Sequence, residues 1–340
     1  MNHLMVEEAL RTPALIQAHL EQPHDELKAS LQILRELPLT HTVTIARGSS
    51  DHAAQFFSYI LAQKIGLIPA SLPPSLVTLH QAPLRWSGAL ALAVSQSGAS
   101  PDLCRTLEQA KAEGATTLAL VNQIHSPLAS VAQHVLPMGA GEEHSVAATK
   151  TFLLSLVNAL FMVGLWAQDQ SMVNALRRLP FFLEKALQST RPISLHALQK
   201  ATSLLVISRG TGLPIAQEVA LKFNEVCRLP ALAYSAAEFR HGPMALIREG
   251  DPVLLLSVRG PEWAGLVETA RFLKDLGARV LWVAPEGTPD ADIPYPVDED
   301  TTGDPILVTQ VLYPLIAKLA ASRGYDPDQP AHLRKVTMTL

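Results

Sequence analysis

The chain has 340 residues, of which 48% are apolar and 17% are charged, and its formal net charge is −4. This composition can bury substantial cores and excludes a disordered chain, while the length predicts two domains of roughly 150 residues each. The negative charge argues against a general nucleic-acid partner. The two cysteines, Cys104 and Cys227, are typical of a reducing compartment, so we expect a cytoplasmic protein.

No membrane partner is expected. The N-terminal residues carry Glu7 and Glu8 and lack an apolar core of signal-peptide length. The most apolar segment, residues 152–167, is shorter than a membrane-spanning helix and contains Ser155 and Asn158. It predicts a buried helix, either inside the core or at a subunit interface.

Short apolar runs alternate with longer helical patterns along the whole chain. The runs cover residues 42–46, 89–94, 116–121, 203–208, 253–258 and 279–284. They are rich in Val, Leu, Ile and Ala without alternation, as expected of strands buried on both faces. Strands alternating with helices predict an α/β fold with parallel sheets flanked by helices, Rossmann-like or flavodoxin-like.

The two halves of the chain resemble each other. Residues 46–49 match residues 208–211, with Arg47 and Arg209 separated by 162 positions. Gly114 and Gly277 begin a second matching pair and are separated by 163 positions. A nearly constant offset predicts duplication of a whole domain.

The expected domains are residues 1–188 and residues 189–324. The polar stretch at 188–192 contains a proline and predicts the linker between them. A helical pattern at 305–323 precedes an extended C-terminal tail, residues 325–340, which carries Lys335.

A serine-rich loop directly follows the predicted strand 89–94. This serine loop is Ser95-Gln96-Ser97-Gly98-Ala99-Ser100. Ligands of open parallel sheets bind beyond the carboxyl ends of the strands. Ser100 and Pro101 predict the N-cap and first residue of a helix, whose backbone N–H groups and dipole favour an anion. The hydroxyl groups and the Gln96 amide add donors, so we predict a phosphate site; the alternative is that the serines only cap helices.

A second hydroxyl-bearing loop follows the first predicted strand. Ser49 and Ser50 lie there and could complete the phosphate cradle or bind sugar oxygens. The corresponding loop of the second half, residues 259–262, offers an arginine and an acidic residue instead. The duplication is therefore expected to be asymmetric, with phosphate bound by the first half.

The second half contains a helical pattern at residues 214–227. Its apolar stripe is Ile215, Val219, Phe223 and Val226. Glu218, Lys222 and Glu225 recur at spacings of four and three and share another face. Spacing alone favours a surface ion-pair ladder on that face.

His241 precedes Gly242-Pro243, which predicts an imidazole presented on a turn. None of the 12 histidines has metal-ligand spacing. We therefore expect no metal site, and the chemistry below requires no organic cofactor.

Four segments together resemble the sugar isomerase (SIS) domains of glucosamine-6-phosphate synthase. They are the serine loop and residues 220–225, 238–243 and 328–335. The chain has neither the length nor the N-terminal cysteine of the synthase with its glutaminase domain. The resemblance therefore favours stand-alone SIS-type aminosugar phosphate deaminases, and it implies two duplicated SIS domains and a homodimer with a shared active site.

The resemblance also implies residue roles. Those that would hold the phosphate are Ser49, Ser50, Ser95, Gln96, Ser97 and Ser100. Glu225 matches the base that moves a proton between sugar C1 and C2, and Lys222 matches a site lysine one helical turn away. His241 matches the residue that assists ring opening from the neighbouring subunit. Lys335 matches the Schiff-base lysine of the synthase tail, although the surrounding residues differ, and Glu143 matches an acidic residue of the same pocket.

The implied reaction converts glucosamine 6-phosphate to fructose 6-phosphate and ammonia. Alternatives with the same architecture are a fructosamine-6-phosphate deglycase and a galactosamine-6-phosphate deaminase. A non-enzymatic alternative is a phosphosugar-binding regulator. Such regulators carry a helix-turn-helix domain before the SIS domain, whereas the first strand here is expected near Thr42, which favours an enzyme.

Overall fold

The computed structural model describes residues 3–188 and 195–335. These residues form two compact units. Of the described residues, the first-sheet unit comprises 14–143, 150–177 and 334–335, and the second-sheet unit comprises 3–13, 144–149, 178–188 and 195–333. The predicted linker at 188–192 lies, apart from Gln188, outside the described residues, and the predicted domain boundaries stay a prediction.

The first half of the chain alternates strands with helices. In chain order the elements are α1 (Leu4–Leu20), α2 (Asp25–Glu36), β1 (His41–Ile45), α3 (Ser49–Ile65), β2 (Ile68–Ser71), α4 (Ser75–Thr78), β3 (Ala89–Ser95), α5 (Pro101–Ala112), β4 (Thr116–Val121), α6 (Pro127–Val131), β5 (His134–Pro137), α7 (Lys150–Trp166) and α8 (Gln170–Leu187). The three strands predicted here are present with end shifts of one residue or none. The edge strands β2 and β5 were missed because these at least partly exposed strands lack a long unbroken apolar run.

The second half follows the same plan. Its elements are β6 (Leu204–Ser208), α9 (Gly212–Cys227), β7 (Ala231–Ser235), α10 (Ala236–Phe239), β8 (Pro252–Leu256), α11 (Trp263–Asp275), β9 (Arg279–Pro285), β10 (Ile293–Tyr295) and α12 (Asp304–Ser322). Two 3-10 helices, His196–Leu198 and Pro243–Leu246, complete it. The predicted helix at 214–227 is confirmed and begins two residues earlier. The edge strands β7 and β10 were missed for the same reason as β2 and β5.

Both sheets are parallel and have the same strand order. The first is β2-β1-β3-β4-β5, and the second, read from its opposite end, is β7-β6-β8-β9-β10. Equivalent strands therefore occupy equivalent positions, which confirms the predicted duplicated α/β fold. Strand order reverses beside β1 and β3, and beside β6 and β8, which is where ligands bind in sheets of this order.

Two apolar helices are buried by the chain itself. Almost every residue of α7 is buried, so its composition needs no subunit partner. Among the described residues, α12 is the one helix that is long and apolar enough to cross a membrane. However, 72% of its most apolar stretch of 18 residues is buried inside the protein. It packs against α9, as a core helix does.

Candidate functional site

The serine loop begins at the last residue of β3 and is held by its own hydroxyl groups. The backbone N–H of Gly98 donates to Ser95 Oγ over 3.0 Å, and that of Ala99 donates to Ser97 Oγ over 3.3 Å. Each of these hydroxyls accepts an N–H and so still has its own proton to donate to an anion. Bracing and anion binding are therefore compatible in this loop.

Gly98 is required by the loop for two reasons. Its φ of 61° lies in the left-handed region, where a side chain is strained. A Cβ at this position would also lie 2.1 Å from Ser126 Oγ. The Gly98 carbonyl accepts the Leu128 N–H at 3.0 Å, so the loop rests on the first turn of α6.

Two helix N-termini meet the same edge of the first sheet. Ser100 is the N-cap of α5 with Pro101 at N1, as predicted. Ser49 and Ser50 are the first residues of α3, which follows β1, and β1 pairs in parallel with β3. Helix N-termini attract anions because their first N–H groups point outward and the dipole is positive there.

An ion pair that the sequence analysis missed joins the two loops. Arg47 donates through Nε and Nη2 to Asp102 Oδ2, over 3.1 Å and 2.8 Å. The Asp102 side chain is fully buried in the first turn of α5, whereas that of Arg47 is half exposed. The only sequence signal for this link was an acidic residue near a helix start. The pair fixes the loop after β1 against the loop after β3.

The equivalent loop of the second sheet is locked to α12. Arg259 donates from Nε and Nη2 to the two Asp304 carboxylate oxygens, over 2.8 Å and 2.6 Å. Asp304 is buried and also accepts the Tyr295 hydroxyl proton at 2.9 Å. This loop therefore has a structural role, and the expected asymmetry in phosphate binding between the halves stays a prediction.

The charged face of α9 is buried, so the surface ion-pair ladder favoured by spacing is wrong. The side chains of Glu218 and Lys222 have no exposed surface, and that of Glu225 is 19% exposed. Lys222 Nζ lies 3.4 Å from Glu218 Oε1 and forms a very close ion pair with Glu225 Oε2. The Tyr313 hydroxyl, from α12, donates to Glu218 Oε1 over 3.2 Å.

Electrostatics keep this buried lysine protonated. Burial by itself lowers the pKa of Lys222, because a buried charge loses its hydration. The charges of Glu218 and Glu225 outweigh burial and raise the pKa above its ordinary value. The helix thus presents an ammonium beside a partly exposed carboxylate, a pair suited to stabilising negative charge and moving a proton.

His241 lies on a turn between α10 and the following 3-10 helix, as predicted. It is exposed, and its backbone N–H donates to the Glu238 carbonyl over 3.0 Å. The exposed imidazole is accessible to a ligand or to another protein surface.

Glu143 and Lys335 meet within the first-sheet unit. Lys335 Nζ lies 2.9 Å from Glu143 Oε2. Glu143 is buried, and its two oxygens accept the Thr151 backbone N–H at 3.0 Å and the Thr151 hydroxyl at 2.7 Å. Thr151 at the start of α7 therefore fixes the Glu143 carboxylate, which in turn binds the Lys335 ammonium. Thr151 was missed by the sequence analysis, and the predicted tail beyond Lys335 lies outside the described residues.

One group of possible metal ligands occurs among the described residues. It consists of His3, Asp326 and Asp328, whose ligand atoms lie within 4.8 Å of one another. Asp328 accepts the backbone N–H groups of Leu4 and Met5 at 2.9 Å and 3.2 Å. The Asp328 carboxylate therefore acts as the N-terminal cap of α1.

Comparison with known proteins places these features in a family. Residues 40–163 and 197–288 match the SIS domain. The chain belongs to the SIS domain family. It is 31% identical, over 98% of its length, to a glutamine–fructose-6-phosphate aminotransferase (isomerizing) from Thermus thermophilus. The chain spans 58% of that relative's length.

Solved structures agree on the fold. A crystal structure described as a candidate phosphosugar isomerase, from Silicibacter pomeroyi DSS-3, is 36% identical, with a TM-score of 0.87 over 96% of this SIS chain and 100% of the other. A glucosamine-6-phosphate deaminase from Thermotoga maritima is 23% identical, with a TM-score of 0.80 over 99% of this chain and 100% of that one. The second likeness concerns the fold alone.

Proposed function

We propose that this SIS protein is an aminosugar phosphate isomerase that releases ammonia. Glucosamine 6-phosphate and water would give fructose 6-phosphate and ammonia. The observation that carries the proposal is the ion pair on α9 between the buried Lys222 and the partly exposed Glu225. A binding module needs no ammonium buried between carboxylates, whereas proton transfer at a carbon next to a carbonyl needs a base and a nearby cation.

The proposed reaction has three steps. His241 donates a proton to the ring oxygen as the bond between C1 and that oxygen breaks, water accepts the proton of the C1 hydroxyl group, and the aldehyde forms. Glu225 then takes the proton from C2, and Lys222 stabilises the negative charge that develops on O1 until O1 takes a proton from water to give the enolamine. Glu225 returns its proton to C1. The resulting C2 imine is then hydrolysed by water, which releases ammonia and leaves the ketone.

The phosphate is assigned to the first-sheet unit. The serine loop, Ser49 and Ser50 would bind it through hydroxyl and backbone N–H donors at the starts of α3 and α5. The binding energy of a group remote from C1 and C2 can hold those carbons in place for reaction. Glu143 and Lys335 are assigned to the same site, where the Lys335 amine, paired with Glu143 in the structure, would form an imine with the keto sugar.

A direct test incubates the protein with glucosamine 6-phosphate and measures ammonia and fructose 6-phosphate together. Equal amounts of both products support the proposal, whereas binding without turnover indicates a phosphosugar-binding regulator. Parallel assays with galactosamine 6-phosphate and with a fructosamine 6-phosphate distinguish the related deaminase and the deglycase, which releases an amino compound.

Variants identify the base. Glu225→Gln should abolish turnover and leave sugar-phosphate binding within about twofold, because the amide keeps the shape but accepts no proton. The matched control is Glu286→Gln, which changes an exposed carboxylate that pairs with Lys185. Turnover retained by Glu225→Gln contradicts the assigned role.

We further propose a homodimer in which His241 serves the partner's site. The exposed position of His241 on its turn supports this assignment. His241→Ala and Glu225→Gln, each inactive alone, should regain activity when mixed and allowed to exchange subunits. Sedimentation measures the oligomeric state, and a monomer with full activity contradicts the proposal.

A further inference from the structure

We propose that Glu218, oriented by Tyr313, is a positioning residue that serves as the permanent counter-ion of Lys222. In this arrangement Glu225 can gain and lose a proton while the buried ammonium always keeps one carboxylate partner. The inference rests on the proposed function for its catalytic meaning, although its electrostatic part can be tested without any substrate.

The two carboxylates beside Lys222 differ in a way that suits two roles. Glu218 is fully buried and receives a hydrogen bond from Tyr313, so its position is set by two helices. The side chain of Glu225 is 19% exposed. It follows Lys222 by three residues, whereas Glu218 precedes Lys222 by four. The partly exposed carboxylate of Glu225 can reach a ligand, whereas the buried carboxylate of Glu218 is held by Lys222 and Tyr313.

The net charge of the cluster in its two protonation states explains why one lysine is paired with two carboxylates. When Glu225 is ionised, the cluster carries one ammonium and two carboxylates. When Glu225 holds a proton taken from the sugar, Lys222 and Glu218 remain as a neutral pair. Without Glu218, the same protonation would leave an unpaired ammonium in the interior, which is strongly unfavourable.

Among the described residues, the three elements packed most extensively against α9 carry four titratable side chains. These elements are β6, β7 and α12. Their titratable residues are Tyr234 on β7 and Asp304, Tyr313 and Lys318 on α12. Asp304 is paired with Arg259, Lys318 is exposed, Tyr234 is partly exposed, and Tyr313 is the one that bonds to Glu218.

A stability cycle with glutamine variants tests the counter-ion role. Glu225→Gln imitates the protonated state of Glu225. Each single variant leaves Lys222 one carboxylate and should lower Tm by a few degrees, as a typical point mutation does. The double variant, Glu218→Gln with Glu225→Gln, removes both carboxylate partners of Lys222. Its Tm should fall by on the order of 10 °C more than the sum of the two single losses. Additive losses overturn the proposal.

If the double variant does not fold, a third substitution still tests the counter-ion role of Glu218. Adding Lys222→Met removes the ammonium, so the triple variant should recover most of the lost Tm. A triple variant as unstable as the double overturns the proposal. Glu286→Gln is the control for the amide substitution itself and should leave Tm unchanged within about 1 °C.

Kinetics test the catalytic meaning. In Glu218→Gln, Glu225 is the sole partner of Lys222 and protonates less readily. We expect kcat to fall by about tenfold or more with KM unchanged, and the acid limb of the kcat profile to move to lower pH. Glu218→Asp keeps the charge and should recover part of kcat.

Unchanged kcat and an unmoved pH profile in Glu218→Gln overturn the positioning role. If the wild type turns over no aminosugar phosphate, the proposed function fails. The stability cycle then still decides whether Glu218 is the counter-ion of Lys222.

Discussion

Replacing Gly98 by alanine tests how tightly the phosphate loop is built. The left-handed backbone at φ 61° costs alanine about 1–2 kcal/mol. The new Cβ would also lie 2.1 Å from Ser126 Oγ and 2.5 Å from Ser126 Cβ, and relieving such overpacking costs about 1–3 kcal/mol. Together these terms predict a loss of about 2–5 kcal/mol, mostly through displacement of the loop.

Gly114 provides a matched control. It also has a positive φ, 95°, but a Cβ there meets nothing within 4 Å. Gly114→Ala should therefore lose only the backbone term, about 1–2 kcal/mol. Denaturant unfolding measures both variants, and calorimetry measures their binding of glucosamine 6-phosphate. Gly98→Ala should weaken binding at least tenfold and Gly114→Ala should not. Equal stability losses with unchanged binding would refute this account of the loop.

Three further predictions concern buried polar groups. Asp304→Asn leaves the Arg259 guanidinium without its buried counter-charge and should lower the free energy of unfolding by about 3–5 kcal/mol in denaturant titrations. Glu143→Gln keeps a hydrogen-bond acceptor but loses its charge, so the Lys335 amine should react faster with a lysine-modifying reagent, followed by mass spectrometry. Burial, aided by the nearby His24 charge, lowers the pKa of His19 below its ordinary value of 6.5. Its contribution to stability is therefore complete above about pH 6.5 and is lost as the pH falls, and His19→Gln should flatten this dependence.

The sequence alone was sufficient for the fold class because it records periodicity directly. Unbroken apolar runs such as residues 116–121 predict strands buried on both faces, and the β4 strand has those bounds. The matching offsets predicted the duplication that the common strand order confirms. The edge strands β2, β5, β7 and β10 were missed, since they are short and at least partly exposed and carry no long unbroken apolar run to distinguish them from loops.

The tertiary structure decided which charged side chains of α9 are buried. The spacing of Glu218, Lys222 and Glu225 specifies a shared helix face but not what covers that face, so a solvent-exposed ladder was the simplest interpretation. Packing of α12 against α9 buries the face and brings Tyr313 to Glu218 from 95 residues away.

Distant pairing is the other feature that only folding could reveal. Lys335 and Glu143 are 192 residues apart, and Arg47 and Asp102 are 55 apart. Local propensity carries no information about which remote side chains meet, because that depends on how the helices and strands pack. The sequence therefore determined the α/β repeats and the serine loop, while the tertiary structure decided which charges are buried and with which partners.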